Sequence, residues 1–375
     1  MNGSSSFLYQ LYNPMNRRKF ITNISAAASS LPFVAATGRK NSNQLPFAEK
    51  IIPPRLKPGD TIGLVTPATF LTEEQLRKAI LSLEKLGFKV RYSPNMLVRK
   101  GFLAGTDEQR AEDINQMFAD EDIDGIMCGR GGYGSGRILP LLDYDLIRSN
   151  PKVFIGFSDI TAMLYGIYGK AGLVCFHGPV GTSNYSEITT DYFQKLLTDP
   201  PAEIVYNNQG VKPDVDVEVN EEGVEVEVET LPELITLSPG VAEGELIGGN
   251  LSLISMLSGT DYDLDMRDKI VFIEDVGEAP YRIDRMLTQL LLAEDKLPAA
   301  AGVVLGVFSG CEADDLDRSF SLEYVLKDRL VDLGIPVLSG LSFGHISQNM
   351  TLPFGIRARL DADSKKLTLL EPTVR

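Results

Sequence analysis

Tryptophan is absent from the 375-residue chain, and histidine occurs only twice, at His177 and His345. Without an indole, any stacking of a nucleobase falls to tyrosine or phenylalanine. Two histidines exclude a histidine-rich metal site. Three widely spaced cysteines, Cys128, Cys175 and Cys311, exclude a disulfide framework and a CxxC zinc pattern. Basic residues are also short: 36 lysines and arginines face 51 acidic residues, a formal net charge of −15. No basic patch interrupts that balance, so a phosphate backbone would be repelled and nucleic acid is not an expected partner. No apolar run is long enough for stable membrane insertion.

What is present is a globular core. Hydrophobic residues make up 43% of the chain and charged residues 23%, over a length that suits two domains. The first forty residues read as an address. Asn16-Arg17-Arg18-Lys19-Phe20-Ile21 is similar to a twin-arginine export motif, and small residues follow up to Val34-Ala35-Ala36, a plausible cleavage site. We therefore expect segment 1–40 to be an export leader or a disordered tail, with a periplasmic location if it is a leader and a cytoplasmic one if not.

Residues 50–182 alternate short apolar strands with amphipathic helices, which implies an α/β domain with a mostly parallel sheet. Thr72 and Gln75 form a capping-box pattern ahead of a Leu76, Ile80, Leu83 stripe. Residues 183–240 read as a linker. It contains two strictly alternating runs, Asp214–Val219 and Val224–Glu229, joined by Asn220-Glu221-Glu222-Gly223: a hairpin with one acidic face, most simply a solvated edge. A second α/β module with more β character occupies 241–375.

The chemistry gathers at strand ends, where sites in such sheets sit. Val153-Phe154-Ile155-Gly156-Phe157-Ser158-Asp159-Ile160 is an apolar strand that stops at a glycine and lifts a serine onto a turn before a helix. That resembles a nucleophile elbow, except that Ile160 stands where a second glycine is usual. The plainer reading makes Ser158 or Asp159 a helix N-cap. Upstream, Gly129 to Gly136 holds five glycines in eight residues, a loop able to offer backbone N–H groups to an oxyanion or a carboxylate. Gly129-x-Gly131-x-x-Gly134 also fits a dinucleotide fingerprint formally, but no clean helix follows and there is no Walker lysine.

A serine nucleophile needs a base, and the base a carboxylate. His345 follows an apolar strand. Glu274 ends another, where an unpaired carboxylate would be costly. Ser158, Glu274 and His345 are thus the candidate catalytic residues. Asp275 and Glu278 are rivals for the acid, and a salt bridge from Glu274 to Arg282 or Arg285 is the plain alternative. His177 is expected to be a hydrogen-bonded structural histidine. Cys128 and Cys175 sit in apolar strand ends and read as core rather than nucleophiles. Arg130, Arg137 and Arg282 are candidates to hold a substrate carboxylate.

Taken together, Arg130-Gly131-Gly132-Tyr133-Gly134, Asn150 to Thr161, His177-Gly178-Pro179, Gly248-Gly249-Asn250-Leu251, Phe272 to Glu278, Tyr281 to Arg285 and Phe343-Gly344-His345 resemble the LD-carboxypeptidase family of serine peptidases, from about Lys57 to Pro372. The resemblance implies an N-terminal flavodoxin-like parallel-sheet domain and a C-terminal swivelling-type β-rich α/β domain with the site between them. It implies Ser158 as nucleophile, His345 as base and Glu274 as orienting acid. The N–H groups of Asp159 and Gly132 would form the oxyanion hole; a carboxypeptidase must also hold a free carboxylate, and Arg130, Gly131, Tyr133 and Arg282 are the candidate substrate contacts. No metal or cofactor is implied. The family reaction releases D-alanine from the L,D bond after meso-diaminopimelate in murein tetrapeptides. Other members inactivate peptide–nucleotide antibiotics such as microcin C, which is the alternative activity; an inactive murein-peptide binder is a third reading. Members often dimerise, so a homodimer is the implied assembly. Two features depart from the family: the acidic hairpin looks longer than the usual linker, and a leader is unusual.

Overall fold

A computed structural model of the chain describes residues 49–375 apart from 202, 220–224 and 231. The leader-like segment and the turn Asn220 to Gly223 lie outside the described residues.

The first half is built as read from sequence. Strands β1 (Thr61–Val65), β2 (Lys89–Tyr92), β3 (Gly125–Cys128), β4 (Val153–Gly156) and β5 (Phe176–His177) form a parallel sheet in the order β2-β1-β3-β4-β5. That is the flavodoxin-like order. Helices Glu73–Lys85 and Asp107–Ala119 each begin with a complete capping box, at Thr72/Gln75 and Thr106/Gln109. Both bury an apolar stripe against the sheet. β3 and β4 are buried along their whole length, as expected of parallel strands covered on both faces.

Residues 183–240 do more than link. They supply helix Glu187–Leu197 and three sets of strands: β6 (Ile204–Tyr206), the hairpin β7 (Asp214–Val219) with β8 (Glu225–Thr230), and β9 (Ile235–Ser238). The hairpin is a separate two-stranded antiparallel sheet, while β6 and β9 become the two edges of the C-terminal sheet. That sheet continues with β10 (Val241–Asn250), β11 (Lys269–Val276), β12 (Gly302–Ser309) and β13 (Val337–Gly344), all parallel, and with β15 (Arg357–Asp361) and β16 (Lys366–Leu369), which run antiparallel. Its order is β6-β16-β15-β10-β11-β12-β13-β9. The product is a mixed α/β fold with a parallel-stranded sheet in each of two domains.

One strand crosses over. β14 (Leu352–Pro353) leaves the C-terminal half and pairs antiparallel with β5, Leu352 opposite His177, closing the edge of the N-terminal sheet. The halves also meet where Gly248-Gly249-Asn250 passes the helix after Ser158. A β-carbon on Gly249 would lie 2.6 Å from Thr161 Oγ1, and the Asn250 N–H donates to that same oxygen at 3.0 Å. The glycine lets the end of β10 approach the serine turn closely. No helix among the described residues is long and apolar enough to cross a membrane.

Candidate active site

β4 ends at Gly156, Phe157 stays extended, and Ser158 turns into the left-handed region at φ 65°. An L-residue with a β-carbon resists that conformation by about 1–2 kcal/mol, so backbone strain is concentrated on the serine. Ser158–Ile160 form a 3-10 turn that runs into helix Thr161–Gly166. Neither Ser158 nor Asp159 caps it through its side chain. The Asp159 carboxylate instead accepts from the Ser135 N–H at 2.8 Å, which ties the serine turn to the glycine loop. Burial pushes that carboxyl above its ordinary range, against the pull of Ser135. Ile160 is fully buried in the core, which explains a large residue where an elbow usually has glycine.

His345 follows β13 directly. Its Nε2 lies 2.9 Å from Ser158 Oγ, and its Nδ1 lies 2.7 Å from Glu274 Oε2. With the proton on Nδ1 directed at the carboxylate, Nε2 is free to accept from the serine hydroxyl. The Ser309 hydroxyl donates to the His345 carbonyl at 2.9 Å, and the Gly344 N–H donates to Asn349 Oδ1 at 3.1 Å, so both sides of the histidine are held. Glu274, near the end of β11, is fully buried. Burial alone would raise its carboxyl, but the imidazoles of His177 and His345 outweigh that and hold it well below the usual range.

The rivals have other duties. Asp275 accepts from Asn250 Nδ2 at 3.0 Å and from the Ser252 N–H and hydroxyl at 3.0 and 2.9 Å, organising the start of helix Leu251–Leu257. Glu278 pairs with Arg282 at 3.1 Å. The plain alternative for Glu274, a salt bridge to Arg282 or Arg285, is not met: Glu274 is fully buried in its strand and faces His177 and His345, while Arg282 pairs with Glu278. Cys128 and Cys175 are fully buried, and burial raises both thiols far above their ordinary range, which leaves them inert.

The glycine loop lies against the serine. A β-carbon on Gly131 would be 3.0 Å from Ser158 Cβ, and one on Gly132, at φ 112°, would be 2.2 Å from Thr69 Oγ1. Thr69 brackets this position: its hydroxyl accepts from the Tyr133 N–H at 3.1 Å and its own N–H donates to the Gly131 carbonyl at 3.4 Å. The buried Arg110 guanidinium donates to the Gly134 carbonyl at 2.8 Å and to the Pro67 carbonyl, clamping the same two loops. Neither Gly132 N–H nor Asp159 N–H, which falls in a helix's first turn, has a partner among the described residues. Sequence reasoning missed Thr69 and Arg110; the one local signal for the place is Pro67, which follows β1 and cannot continue it. The dinucleotide reading is not met, since the loop enters a 3-10 turn, Ser135–Leu141, that contains Pro140, rather than a helix.

Of the arginines, Arg137 makes a bidentate pair with Asp107, at 2.8 to 3.1 Å, and Arg282 is engaged by Glu278 and the Tyr281 hydroxyl. Arg130, between Gly129 and Gly131, has no side-chain partner among the described residues. Tyr133 is exposed and meets Phe102 edge-on at 5.6 Å. A cleft of about 470 Å³ runs from Asp159 and Tyr133 to Met256 and Tyr262, and a polar one of about 400 Å³ adjoins it at Met256, lined by Arg282 and Arg285. A larger cavity, about 990 Å³, lies beside Tyr281 and Phe320; Ser158, Glu274 and His345 line none of the three, and the 470 Å³ cleft reaches the serine turn at Asp159.

Residues 62–178 match the LD-carboxypeptidase N-terminal domain, and residues 243–360 match the LD-carboxypeptidase C-terminal domain. The chain belongs to the LD-carboxypeptidase family. It is 37% identical to the "Probable murein peptide carboxypeptidase" of Bacillus subtilis over 324 residues, covering 85% of this chain and 94% of that one. It is 33% identical to the microcin C7 self-immunity protein MccF of Escherichia coli, over 84% of this chain and 94% of MccF. A solved structure of a MccF mutant in complex with adenosine monophosphate superposes with a TM-score of 0.77 at 29% identity, covering 87% of this chain and 100% of the other. The LD-carboxypeptidase family is one of serine peptidases, so the expected class of enzyme is borne out at that level.

Proposed function

We propose that this LD-carboxypeptidase family member is a serine carboxypeptidase that releases D-alanine from murein tetrapeptides, by a Ser158–His345–Glu274 acyl-enzyme mechanism. The observation that carries the reading is the unbroken relay from the Ser158 hydroxyl through His345 to Glu274, at 2.9 and 2.7 Å. In the first step Ser158 Oγ attacks the diaminopimelyl carbonyl carbon and His345 Nε2 takes the hydroxyl proton. The oxyanion that forms is met by the N–H groups of Gly132 and Asp159. His345 then protonates the departing amine as the C–N bond breaks. Water attacks the resulting ester, gives its proton to His345, and frees the tripeptide carboxylate and the serine. Arg130, in the glycine loop and without a side-chain partner among the described residues, is our candidate for the substrate's terminal carboxylate; Gly131 and Tyr133 border it, and Arg282 lines the adjoining polar cleft.

The substrate is supported by the murein peptide named for the Bacillus relative. Likeness to MccF supports a second reading, hydrolysis of a peptide–nucleotide conjugate, in which exposed Tyr133 with Phe102 would serve as the stacking platform in place of tryptophan. Mass spectrometry of the protein with L-Ala-γ-D-Glu-meso-diaminopimelyl-D-Ala, beside Ser158→Ala, separates them. Loss of one alanine with the wild type alone is expected. No loss from folded protein that cleaves an aminoacyl-adenylate analogue would favour the second reading, and binding without either reaction would favour an inactive binder. The leader-like segment adds the proposal that the peptide is met outside the cytoplasm; cell fractionation that finds the full-length chain only in the cytoplasm would overturn it.

A further inference from the structure

His177 has no part in the relay, yet it is fully buried beside it. It ends β5, the neighbour of the strand that carries Ser158, with Gly156 and His177 in register. Its ring is packed edge-on by Phe157, Phe272 and Phe343, with centroids 5.5 to 6.1 Å away. Among the described residues neither ring nitrogen has a hydrogen-bond partner, and Glu274 Oε1 has none either. The expectation of a hydrogen-bonded structural histidine is thus not met. These two orphans face each other: His177 Nε2 lies 3.6 Å from Glu274 Oε1. That is a few tenths of an ångström beyond a hydrogen bond. Buried polar atoms of this kind are costly when left unpaired.

We propose that His177 is a positioning residue whose Nε2–H engages Glu274 Oε1, so that the carboxylate is gripped by one histidine from each sheet. The inference rests on reading Ser158, His345 and Glu274 as the catalytic relay. Glu274 belongs to the C-terminal sheet and His177 to the serine-bearing sheet, so the contact sets the orientation of the acid, and through it His345, relative to Ser158. The charged and titratable groups around Glu274 are His177, His345 and Asp275, and Asp275 is already held by Asn250 and Ser252. A donor on Oε1 favours the state in which His345 has lost its proton and Glu274 stands uncompensated. Removing that donor should move the acid limb of the rate profile to higher pH.

The test compares His177→Phe, which keeps the aromatic packing without a donor, with His177→Gln, which keeps a donor near the Nε2 position. Ser158 labelling by a fluorophosphonate is followed against pH, together with kcat and KM on the tetrapeptide. His177→Phe is expected to lose about ten- to hundredfold in labelling rate and kcat, the worth of one hydrogen bond to a charged group. KM should hold and the acid limb should rise, while His177→Gln recovers most of the rate. Equal behaviour of His177→Phe and wild type, or a glutamine variant worse than the phenylalanine one, overturns the proposal. Equal labelling of wild type and Ser158→Ala would instead overturn the relay. A measurement on wild type covers the case in which both variants misfold. With two histidines in the chain, ring-¹⁵N spectra resolve each tautomer, and fluorophosphonate labelling marks the His345 signals. A proton on His177 Nε2 is expected; an Nε2 that carries none refutes the contact.

Discussion

Replacing Gly132 by alanine is expected to lower kcat by about 10²–10³ with little change in KM, the cost of losing one oxyanion donor. Two features of the structure set that magnitude. Gly132 stands at φ 112°, where an L-residue is strained by about 1–2 kcal/mol. The new β-carbon would also fall 2.2 Å from Thr69 Oγ1 and 2.6 Å from Thr69 Cβ. Carbon contacts settle near ~3.5 Å, so the loop or Thr69 must give way by about 1 Å. Thr69 cannot yield freely, because it holds the Tyr133 N–H and the Gly131 carbonyl. The loop therefore moves, and with it the Gly132 N–H. A displacement of that size at a reacting centre is itself worth about 10²-fold. Because the oxyanion exists only in the transition state, the loss should fall on kcat. Initial rates of D-alanine release over a range of tetrapeptide concentrations measure both constants, with a denaturant curve to show that the variant is folded. An unchanged kcat in a folded variant, or a loss confined to KM, refutes the role given to this N–H.

Ser158→Gly and Ser158→Ala should both be inactive, but glycine should be the more stable in urea by roughly 0.5–1 kcal/mol, because it relieves the left-handed strain and gives back part of that in unfolded-chain entropy; the opposite order would refute the strain. Glu274 is held ionised well below the usual carboxylate range, so only the relay's histidine proton should govern the acid side of kcat/KM. Activity then rises with pH along a limb of unit slope, and a slope of two would show that Glu274 titrates as well. Glu274→Gln should cost about 10⁴ in kcat by analogy with other triads, and near-normal turnover would remove Glu274 from the relay. Arg130→Ala should weaken kcat/KM on the free-carboxylate peptide by at least about tenfold, and it should spare a substrate amidated at that end, whereas Arg137→Ala should change neither; a reversed pattern in steady-state kinetics reassigns the carboxylate.

Much of the candidate site could be read along the chain. Scarcity made His345 and His177 conspicuous, and an acid at the end of a wholly apolar strand marked Glu274. The Gly156-Phe157-Ser158 step announced a strand-to-helix turn. Roles depending on packing were less legible. His177 was expected to be a satisfied structural residue, because nothing local says that its strand faces Glu274. Arg137 and Arg282 looked as suited to a carboxylate as Arg130 until Asp107 and Glu278 were found beside them. Segment 183–240 read as a linker because its edge strands, β6 and β9, find partners only in β16 and β13, far along the chain.

By itself the sequence determined the class of the fold, the helices and strands near the site, and which side chains could do chemistry. Those follow from interactions within a turn or two of the chain: a capping threonine three residues from its glutamine, an apolar stripe, a glycine at a strand end. Only the tertiary structure decided which of those side chains meet. His345 and Glu274 are 71 positions apart and His345 and Ser158 are 187 apart. Their separations of 2.7 and 2.9 Å arise from the order of two sheets, from the passage of β10 over the serine turn, and from the strand that crosses between the sheets. Each of these is a pairing between distant segments, selected by the burial of a shared core rather than by any local preference.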